Sequence, residues 1–310
     1  MYEDFYGLVA APFSLLPDAD CLFWGRTHRQ AGNALECWVQ SYASFMVLTG
    51  DAGTGKTSLL RHFMNHADEA ICWGSLTNPL MIQDRFFAAL CSVFEVSYEH
   101  GEDEVSLYHK FVDFLVSQYA VQRRAVLVLD EAQALDARQL ETVRMLANVN
   151  NEKDHLIQIV LAGQSDFLDR LQTPAFQPLL QRVLIQNHVT PLDQAETESY
   201  IRYRLQAAGS QRDLFEKKAL IAIYHHTGGV PRLINLLCDA ALLYGFAEDT
   251  PCISAALIKA VIKDRQENGA TPFIQDKRIK NDKITSLVTP LYAASERFPD
   301  EDSHAHQKRA

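Results

Sequence analysis

The stretch 45–58 limits the fold more than any other part of the chain. Its apolar run Phe45–Thr49 leads directly into a segment of the form G-x-x-x-x-G-K-T, and a helix-forming stretch follows. This order predicts a strand, a phosphate-binding loop and a helix, because the glycines let successive backbone N–H groups point at phosphate oxygens. The residues predicted to bind the nucleotide are Gly50, Asp51, Ala52, Gly53, Thr54, Gly55, Lys56, Thr57 and Ser58.

Two side chains of the loop and two carboxylates downstream predict ATP hydrolysis. Lys56 supplies a mobile positive charge, and the hydroxyl of Thr57 is placed to ligate Mg²⁺. The apolar run 125–129 ends in Asp130 and Glu131. Asp130 is expected to hold Mg²⁺, and Glu131 to orient and polarise the attacking water. The alternative for this acidic pair is two surface carboxylates that cap a helix.

Two further polar residues are predicted to face the same nucleotide. Gln164 follows the buried run 156–162 and is a sensor-1 candidate, between the acidic pair and the γ-phosphate. Its alternative is a turn residue bonded to backbone. Arg232 follows Gly228–Pro231 at a helix start and is a sensor-2 candidate that projects toward the cleft. Its alternative is an ordinary arginine at a helix start.

An arginine before the last predicted strand indicates chemistry shared between subunits. Arg182 is expected on the outer rim, too far around the domain to reach its own nucleotide, and is the candidate arginine finger for a neighbour. The alternative is a surface salt bridge, and Arg170 is the competing finger. Hydrolysis then requires self-association into a ring or helical oligomer.

The order of patterns predicts four segments. An N-terminal arm and helix (1–44) are expected to pack on the nucleotide-binding domain (45–190), which is followed by a helical lid (191–266) and a largely disordered tail (267–310). Within the tail, the apolar piece 284–288 is a candidate docking segment. The lid helices are predicted at 194–208, 214–226, 231–247 and 254–266.

Three residues of the arm are candidates for the adenine wall. Phe23, Trp24 or Arg26 could stack on the base, and the alternative for the aromatic residues is core packing. The N-terminus has no basic and apolar secretory signal, and no apolar stretch has the length of a transmembrane segment. The sequence therefore favours a cytoplasmic protein. Its net charge of −10 argues against a broad basic surface that coats nucleic acid.

Together these motifs resemble the AAA+ ATPases of the ExeA, or general secretion pathway protein A, group. The likeness covers about residues 1–265. The same group is also similar to ATPases of mannose-sensitive pilus (MSHA) and exosortase loci. The matching motifs are Tyr6–Leu8 with Pro12–Phe13, Leu48–Thr57, Asp130–Gln133, Leu161–Gln164, Gln181–Arg182 and Gly228–Asn235.

The resemblance implies an α/β fold, with a P-loop AAA+ parallel five-stranded sheet of strand order 5-1-4-3-2 and an all-helical C-terminal lid. It implies an ATPase that drives assembly or regulation of a secretion, pilus or exopolysaccharide export system, through a protein partner at the inner membrane. The alternative is a DNA-associated AAA+ regulator of the transposition type; nucleic acid is a compatible but less favoured partner. The group's membrane span and peptidoglycan-binding region are not expected after Gln266.

Overall fold

A computed structural model of the chain describes residues 2–15, 21–41, 43–77, 85–149, 155–269 and 272–273. Most of the predicted tail 267–310, with the segment 284–288, lies outside these ranges. The disorder of the tail and the docking role of that segment therefore stay predictions.

A five-stranded parallel sheet forms the centre of the described structure. Its strands are β1 (Phe45–Gly50), β2 (Ile71–Leu76), β3 (Arg124–Leu129), β4 (Ile157–Gly163) and β5 (Val183–Val189). The order across the sheet is β5-β1-β4-β3-β2, and every neighbouring pair is parallel. This confirms the predicted fold class and strand order. The carboxyl ends of all strands meet at one edge, where open parallel sheets bind ligands.

Two of the central strands, β1 and β4, are buried along their whole length. All residues of β1 and β4 are buried, as continuous apolar runs predict for strands with both faces covered. β5 lies at the edge of the sheet, and exposed residues alternate with half-buried ones until the buried Val189.

Helices cover both faces of the sheet. In chain order, the helices that precede β5 are α1 (Glu3–Tyr6), α2 (Arg26–Ser41), α3 (Lys56–Asn65), α4 (Phe86–Val93), α5 (Glu104–Ala120), α6 (Ala137–Leu146), α7 (Ser165–Leu171) and α8 (Gln177–Leu180). Of these, α1 does not cover the sheet but packs on the C-terminal helices. An apolar cluster that includes Trp38 and Leu59 joins α2 and α3 to one face. A larger cluster that includes Phe111, Val143 and Phe167 packs the four helices α4, α5, α6 and α7 on the other face.

The described chain beyond β5 is helical, as the predicted fold class requires. Its helices are α9 (Gln194–Ala207), α10 (Lys217–Thr227), α11 (Pro231–Ala247) and α12 (Ala255–Glu267). They share an apolar cluster that includes Ile223 and Leu237. α10 starts later than predicted because Leu214 pairs with another segment: its carbonyl oxygen accepts from the Ile253 N–H at 2.7 Å. Among the described residues, no helix combines the length and hydropathy of a membrane span.

The N-terminal segment 2–15 packs against these C-terminal helices. Tyr6 and Phe13 are buried in the same apolar cluster as α9 to α12. The hydroxyl group of Tyr6 donates to the carbonyl oxygen of Leu242 at 3.1 Å. Burial of two large aromatic rings in an apolar core favours this position.

Two polar side chains of the C-terminal helices hold the end of this segment. Arg204 Nε donates to the carbonyl oxygen of Pro12 at 2.7 Å, and Asn235 Nδ2 donates to that of Ser14 at 3.1 Å. Both side chains come from residues that are 7% exposed. The expectation that residues 1–44 pack on the nucleotide-binding domain is therefore wrong for their first part, because the segment's buried partners belong to α9 and α11.

Candidate nucleotide-binding site

The glycine-rich loop between β1 and α3 has two glycines in left-handed backbone conformations. The angle φ is +81° at Gly53 and +102° at Gly55. A Cβ atom on Gly53 would lie 2.8 Å from Cβ of Arg232, and one on Gly55 would lie 2.9 Å from Nε2 of His28. Both positions therefore require glycine, for conformation and for space.

Lys56 begins α3 and is only 6% exposed. Its Nζ donates to the carbonyl oxygens of Gly50 at 2.7 Å and Asp51 at 3.0 Å. Burial lowers the pKa of its ammonium group, and the carboxylates of Glu131, Asp130 and Asp51 oppose that shift. A buried cation held by neutral carbonyl groups at a helix N-terminus suits an anionic ligand such as a polyphosphate.

Thr57 and Asp130 form a direct pair at the edge of the sheet. Thr57 Oγ1 donates to Asp130 Oδ2 at 2.6 Å. Asp130 follows β3 and is 4% exposed, and its Oδ1 accepts from the backbone N–H of Glu131 at 2.9 Å. Hydroxyl and carboxylate oxygens are ligands that Mg²⁺ prefers, so these two side chains fit the predicted metal site.

Glu131 faces the same cleft but differs from Asp130 in its surroundings. It is exposed, and its φ of +54° is in the left-handed region, which is uncommon for a residue other than glycine. Its carboxylate accepts a hydrogen bond from Nε2 of Gln133 at 2.5 Å. No role is predicted for Gln133 from the sequence, although a polar side chain two residues after the carboxylate is a signal for one.

Gln164 lies where β4 ends, next to the end of β3. Its backbone N–H donates to Oε1 of Gln133 at 3.1 Å, and the residue is half-buried. The next residue, Ser165, donates from Oγ to Oδ1 of Asp51 in the loop at 2.6 Å. The structure thus brings the start of α7 against the phosphate loop and against the residues that follow β3.

A cleft of about 410 Å³ lies between the loop and the C-terminal helices. Arg232 lines it from the start of α11, and its backbone N–H donates to the carbonyl oxygen of Gly53 at 3.3 Å. Tyr200, Arg204 and Asn235 line the same cleft from α9 and α11. Burial raises the pKa of Tyr200 to about 12, so its neutral hydroxyl donates to Oδ1 of Asn235 at 2.7 Å.

Only one of the three arm residues considered for the adenine wall lines this cleft. Phe23 does so, and its ring also packs against Tyr200 at 5.6 Å between centroids. Trp24 instead packs edge-to-face on Phe63, on the α3 side. Arg26 does not line the cleft, and its backbone N–H donates to Oε1 of Glu196 at 2.6 Å. The predictions for Trp24 and Arg26 are therefore not supported by their positions.

His28 joins α2 to the phosphate loop. Its Nε2 lies 2.8 Å from the carbonyl oxygen of Thr54, and the residue is 3% exposed. A carbonyl oxygen can only accept, so Nε2 carries the proton. Burial lowers the pKa of the imidazole, against the opposing effects of the Thr54 bond and Glu196, which keeps it neutral. No short motif marks this residue, so its contact with the loop could not be predicted from the sequence.

Neither of the two candidate arginine fingers lines the cleft of its own chain. Arg182 follows α8 and donates to the side-chain oxygen of Asn148. Arg170 Nη1 donates to the carbonyl oxygen of Gln133 at 3.1 Å, and its guanidinium group lies 5.2 Å from the ring centre of Phe176. Arg170 is therefore engaged within its own chain, next to the candidate catalytic residues.

The sequence matches a known family and a curated relative. Residues 39–171 match the family described as AAA domain. The chain is 35% identical over 247 residues to general secretion pathway protein A of Aeromonas hydrophila. That alignment covers 80% of this chain and 45% of the relative, so the chain spans less than half of that protein's length.

Solved structures share the fold at low sequence identity. Cdc6p from Pyrobaculum aerophilum is 17% identical, with a TM-score of 0.66, and the match covers 83% of this chain and 72% of that chain. The ORC2 protein of Aeropyrum pernix, in ADPNP–ADP complexes, is 14% identical, with a TM-score of 0.61 and coverages of 78% and 68%. These likenesses concern the fold alone.

Proposed function

We propose that this chain, which belongs to the AAA+ ATPases of the ExeA-like group, binds ATP with Mg²⁺ and hydrolyses it. In this proposal, hydrolysis drives assembly or regulation of a cell-envelope secretion, pilus or exopolysaccharide export system. The observation that carries the proposal is the convergence of buried Lys56 with the Thr57–Asp130 pair beside a cleft lined by Glu131 and Arg232.

Each side chain has a distinct task in the proposed reaction. Lys56 binds phosphate oxygens, and Thr57 and Asp130 hold Mg²⁺, which when bound neutralises phosphate charge. Glu131 accepts a proton from the water whose oxygen attacks the γ-phosphorus, while the bond to the β-phosphate oxygen breaks and ADP leaves. Gln164 and Arg232 are proposed to contact the γ-phosphate from the strand end and from the helical side.

Arg182 is proposed to complete the site of a neighbouring copy. Its support is its position after α8, outside the lining of its own cleft. Arg170 is the weaker candidate, because its guanidinium is bound to Gln133 and packed on Phe176. Turnover is therefore expected to require an oligomer, in a ring or a helix.

Similarity to general secretion pathway protein A supports a protein partner at the cell envelope, with the chain on the cytoplasmic side of the inner membrane. The partner, substrate and pathway of the whole protein are part of this proposal.

The test is ATP turnover per subunit as a function of protein concentration. Glu131→Gln is expected to lower turnover by about 10²- to 10⁴-fold while ATP still binds, because the general base is lost. Arg182→Ala is expected to be inactive alone, yet to regain turnover when mixed with Glu131→Gln, since each variant supplies what the other lacks. Arg202→Ala, which changes an exposed arginine paired with Glu198, is the matched control.

Two results would contradict this proposal. Unchanged turnover in Arg182→Ala would exclude its role as a finger, and an absence of Glu131-dependent turnover at every concentration would exclude the ATPase. Stimulation by duplex DNA that falls steeply with salt would instead favour the DNA-associated alternative.

A further inference from the structure

Gln133 lies at the centre of a hydrogen-bond network behind the candidate catalytic carboxylate. Its side chain bridges two neighbouring strand ends: Nε2 donates to Oε2 of Glu131 at 2.5 Å, and Oε1 accepts from the backbone N–H of Gln164 at 3.1 Å. Its backbone carbonyl oxygen accepts from Arg170 Nη1 at 3.1 Å. These bonds link the ends of β3 and β4 with α7.

The partners of Gln133 fix the orientation of its amide group. A backbone N–H can only donate, so the atom facing Gln164 must be the amide oxygen. An ionised carboxylate can only accept, so the atom facing Glu131 must be the amide nitrogen. The two requirements agree, and a flipped amide would place like groups together on both sides.

The bond from Gln133 restricts one oxygen of the Glu131 carboxylate and leaves the other available. Glu131 lines the cleft, and its left-handed backbone holds the side chain at the end of β3. An unrestrained glutamate of this exposure samples several rotamers, only some of which align an oxygen with an attacking water.

We propose that Gln133 is a positioning residue for ATP hydrolysis: it holds Oε2 of Glu131 so that the second carboxylate oxygen is directed at the attacking water. This inference rests on the proposed ATPase function. Gln133 acts through Glu131 and does not itself contact the nucleotide.

The segment that carries Gln133 is also held from α7. Arg170 fixes the backbone of Gln133, and Ser165 at the other end of α7 donates to Asp51 in the phosphate loop. The position of Glu131 therefore depends on α7, which lies between Gln164 and Arg182 along the chain.

The experiment compares two variants of the full chain. Gln133→Met keeps the length of the side chain and removes both of its hydrogen bonds; Gln133→Glu keeps an acceptor for Gln164 and sets a carboxylate against Glu131. We expect kcat to fall about 10- to 100-fold in Gln133→Met and further in Gln133→Glu, as for supporting residues of other sites. The Kd for ATP, measured at equilibrium, should stay within about twofold because Gln133 does not bind ATP.

A double variant separates positioning from a general structural role. In the Glu131→Gln background, Gln133→Met should cause no further loss of residual turnover, because its effect passes through the same carboxylate. Gln172→Met, at an exposed glutamine after α7, is the control and should match the wild type in kcat and melting temperature.

Each other outcome overturns the inference. Wild-type kcat in Gln133→Met, or a further loss in the double variant equal to that in the single one, would exclude positioning through Glu131 while leaving the ATPase proposal intact. A wild-type protein without Glu131-dependent turnover would exclude both.

Discussion

The phosphate side of the cleft, formed by residues 50–58 with Asp130 and Glu131, is built at one edge of the sheet from the segments that follow the parallel strands β1 and β3, on either side of β4. The lid side, formed by Tyr200, Arg204, Arg232 and Asn235, is joined to the N-terminal segment by contacts between residues far apart in sequence. Arg204 and Pro12 are separated by 192 positions, and Asn235 and Ser14 by 221.

The two sides of the cleft are therefore expected to differ in function: the phosphate side takes part in binding and hydrolysis, and the lid side also stabilises the fold. Side chains on the phosphate side bond mainly within one sheet edge, so their replacement should change ligand binding and turnover more than folding. Side chains on the lid side also satisfy buried carbonyl groups of the N-terminal segment, so some replacements there should cost stability first.

The largest effect is expected on the phosphate side, from Lys56→Ala. Loss of charge-assisted hydrogen bonds to phosphate should weaken ATP binding by about 10- to 100-fold and reduce turnover further. The free energy of unfolding should change little, because the loss of the bonds to the carbonyl oxygens of Gly50 and Asp51 is offset by removal of a cation whose burial is unfavourable. Isothermal titration with ATP and urea unfolding measure the two quantities. A loss of unfolding free energy as large as the loss of ATP-binding free energy would contradict the expected difference between the two sides of the cleft.

Arg232→Ala tests whether the lid side takes part in chemistry. We expect turnover to fall by about 10²-fold, the scale for loss of one preorganised donor to developing charge. The melting temperature should remain near that of the wild type, because Arg232 joins the loop through its backbone N–H, which the substitution keeps. Arg232→Lys, which keeps the charge and loses the planar fork, should recover only part of the rate.

Arg204→Met tests the supporting role of the lid side. The buried carbonyl oxygen of Pro12 would lose its donor, so the free energy of unfolding should fall by about 1–3 kcal/mol. Urea unfolding of the full chain provides the measurement, and Arg202→Met on the same helix is the exposed control. A large loss of turnover with unchanged stability would place Arg204 in the chemistry instead.

The smallest effect concerns His28, which joins α2 to the phosphate side. Burial lowers its pKa, so the unfolded chain takes up a proton near the ordinary value of about 6.5 while the folded chain does not. The stability contributed by neutral His28 is therefore present above that pH and is lost as pH falls toward the folded-state pKa, by at most about 1.4 kcal/mol per pH unit.

His28→Gln keeps a side-chain donor for Thr54 and cannot titrate. Its unfolding free energy should fall less than that of the wild type between about pH 7.5 and about pH 5.5. Parallel pH profiles for the two proteins would show that His28 carries none of this dependence.

The fold could be predicted because its decisive signals are local. The continuous apolar runs of β1 and β4 reflect strands covered on both faces, and the glycines of the loop reflect backbone conformations that other residues avoid. The same signals bring Lys56, Thr57 and Asp130 together, because strand ends of a parallel sheet share one edge.

The contacts that could not be predicted join residues that are distant in sequence or depend on one rotamer. Nothing in the pattern around Tyr6 or Pro12 indicates that their partners lie on α9 and α11. Trp24 and Phe23 are neighbours in sequence, yet only Phe23 lines the cleft. Gln133 belongs to no periodic pattern of apolar residues, and its proposed role follows from the partners of its two amide atoms.

The burial of the N-terminal segment against the last helices has a consequence for biosynthesis. Leu242, which accepts the hydrogen bond of Tyr6, is made 236 residues after it. At about 5–20 residues per second, the aromatic side chains of the segment wait on the order of 10 to 50 seconds for their partners. The strands of the sheet are complete before that, at Val189. Closure of the helical region therefore follows synthesis of the sheet strands, and the aromatic side chains of the N-terminal segment stay exposed to water until α11 has been made.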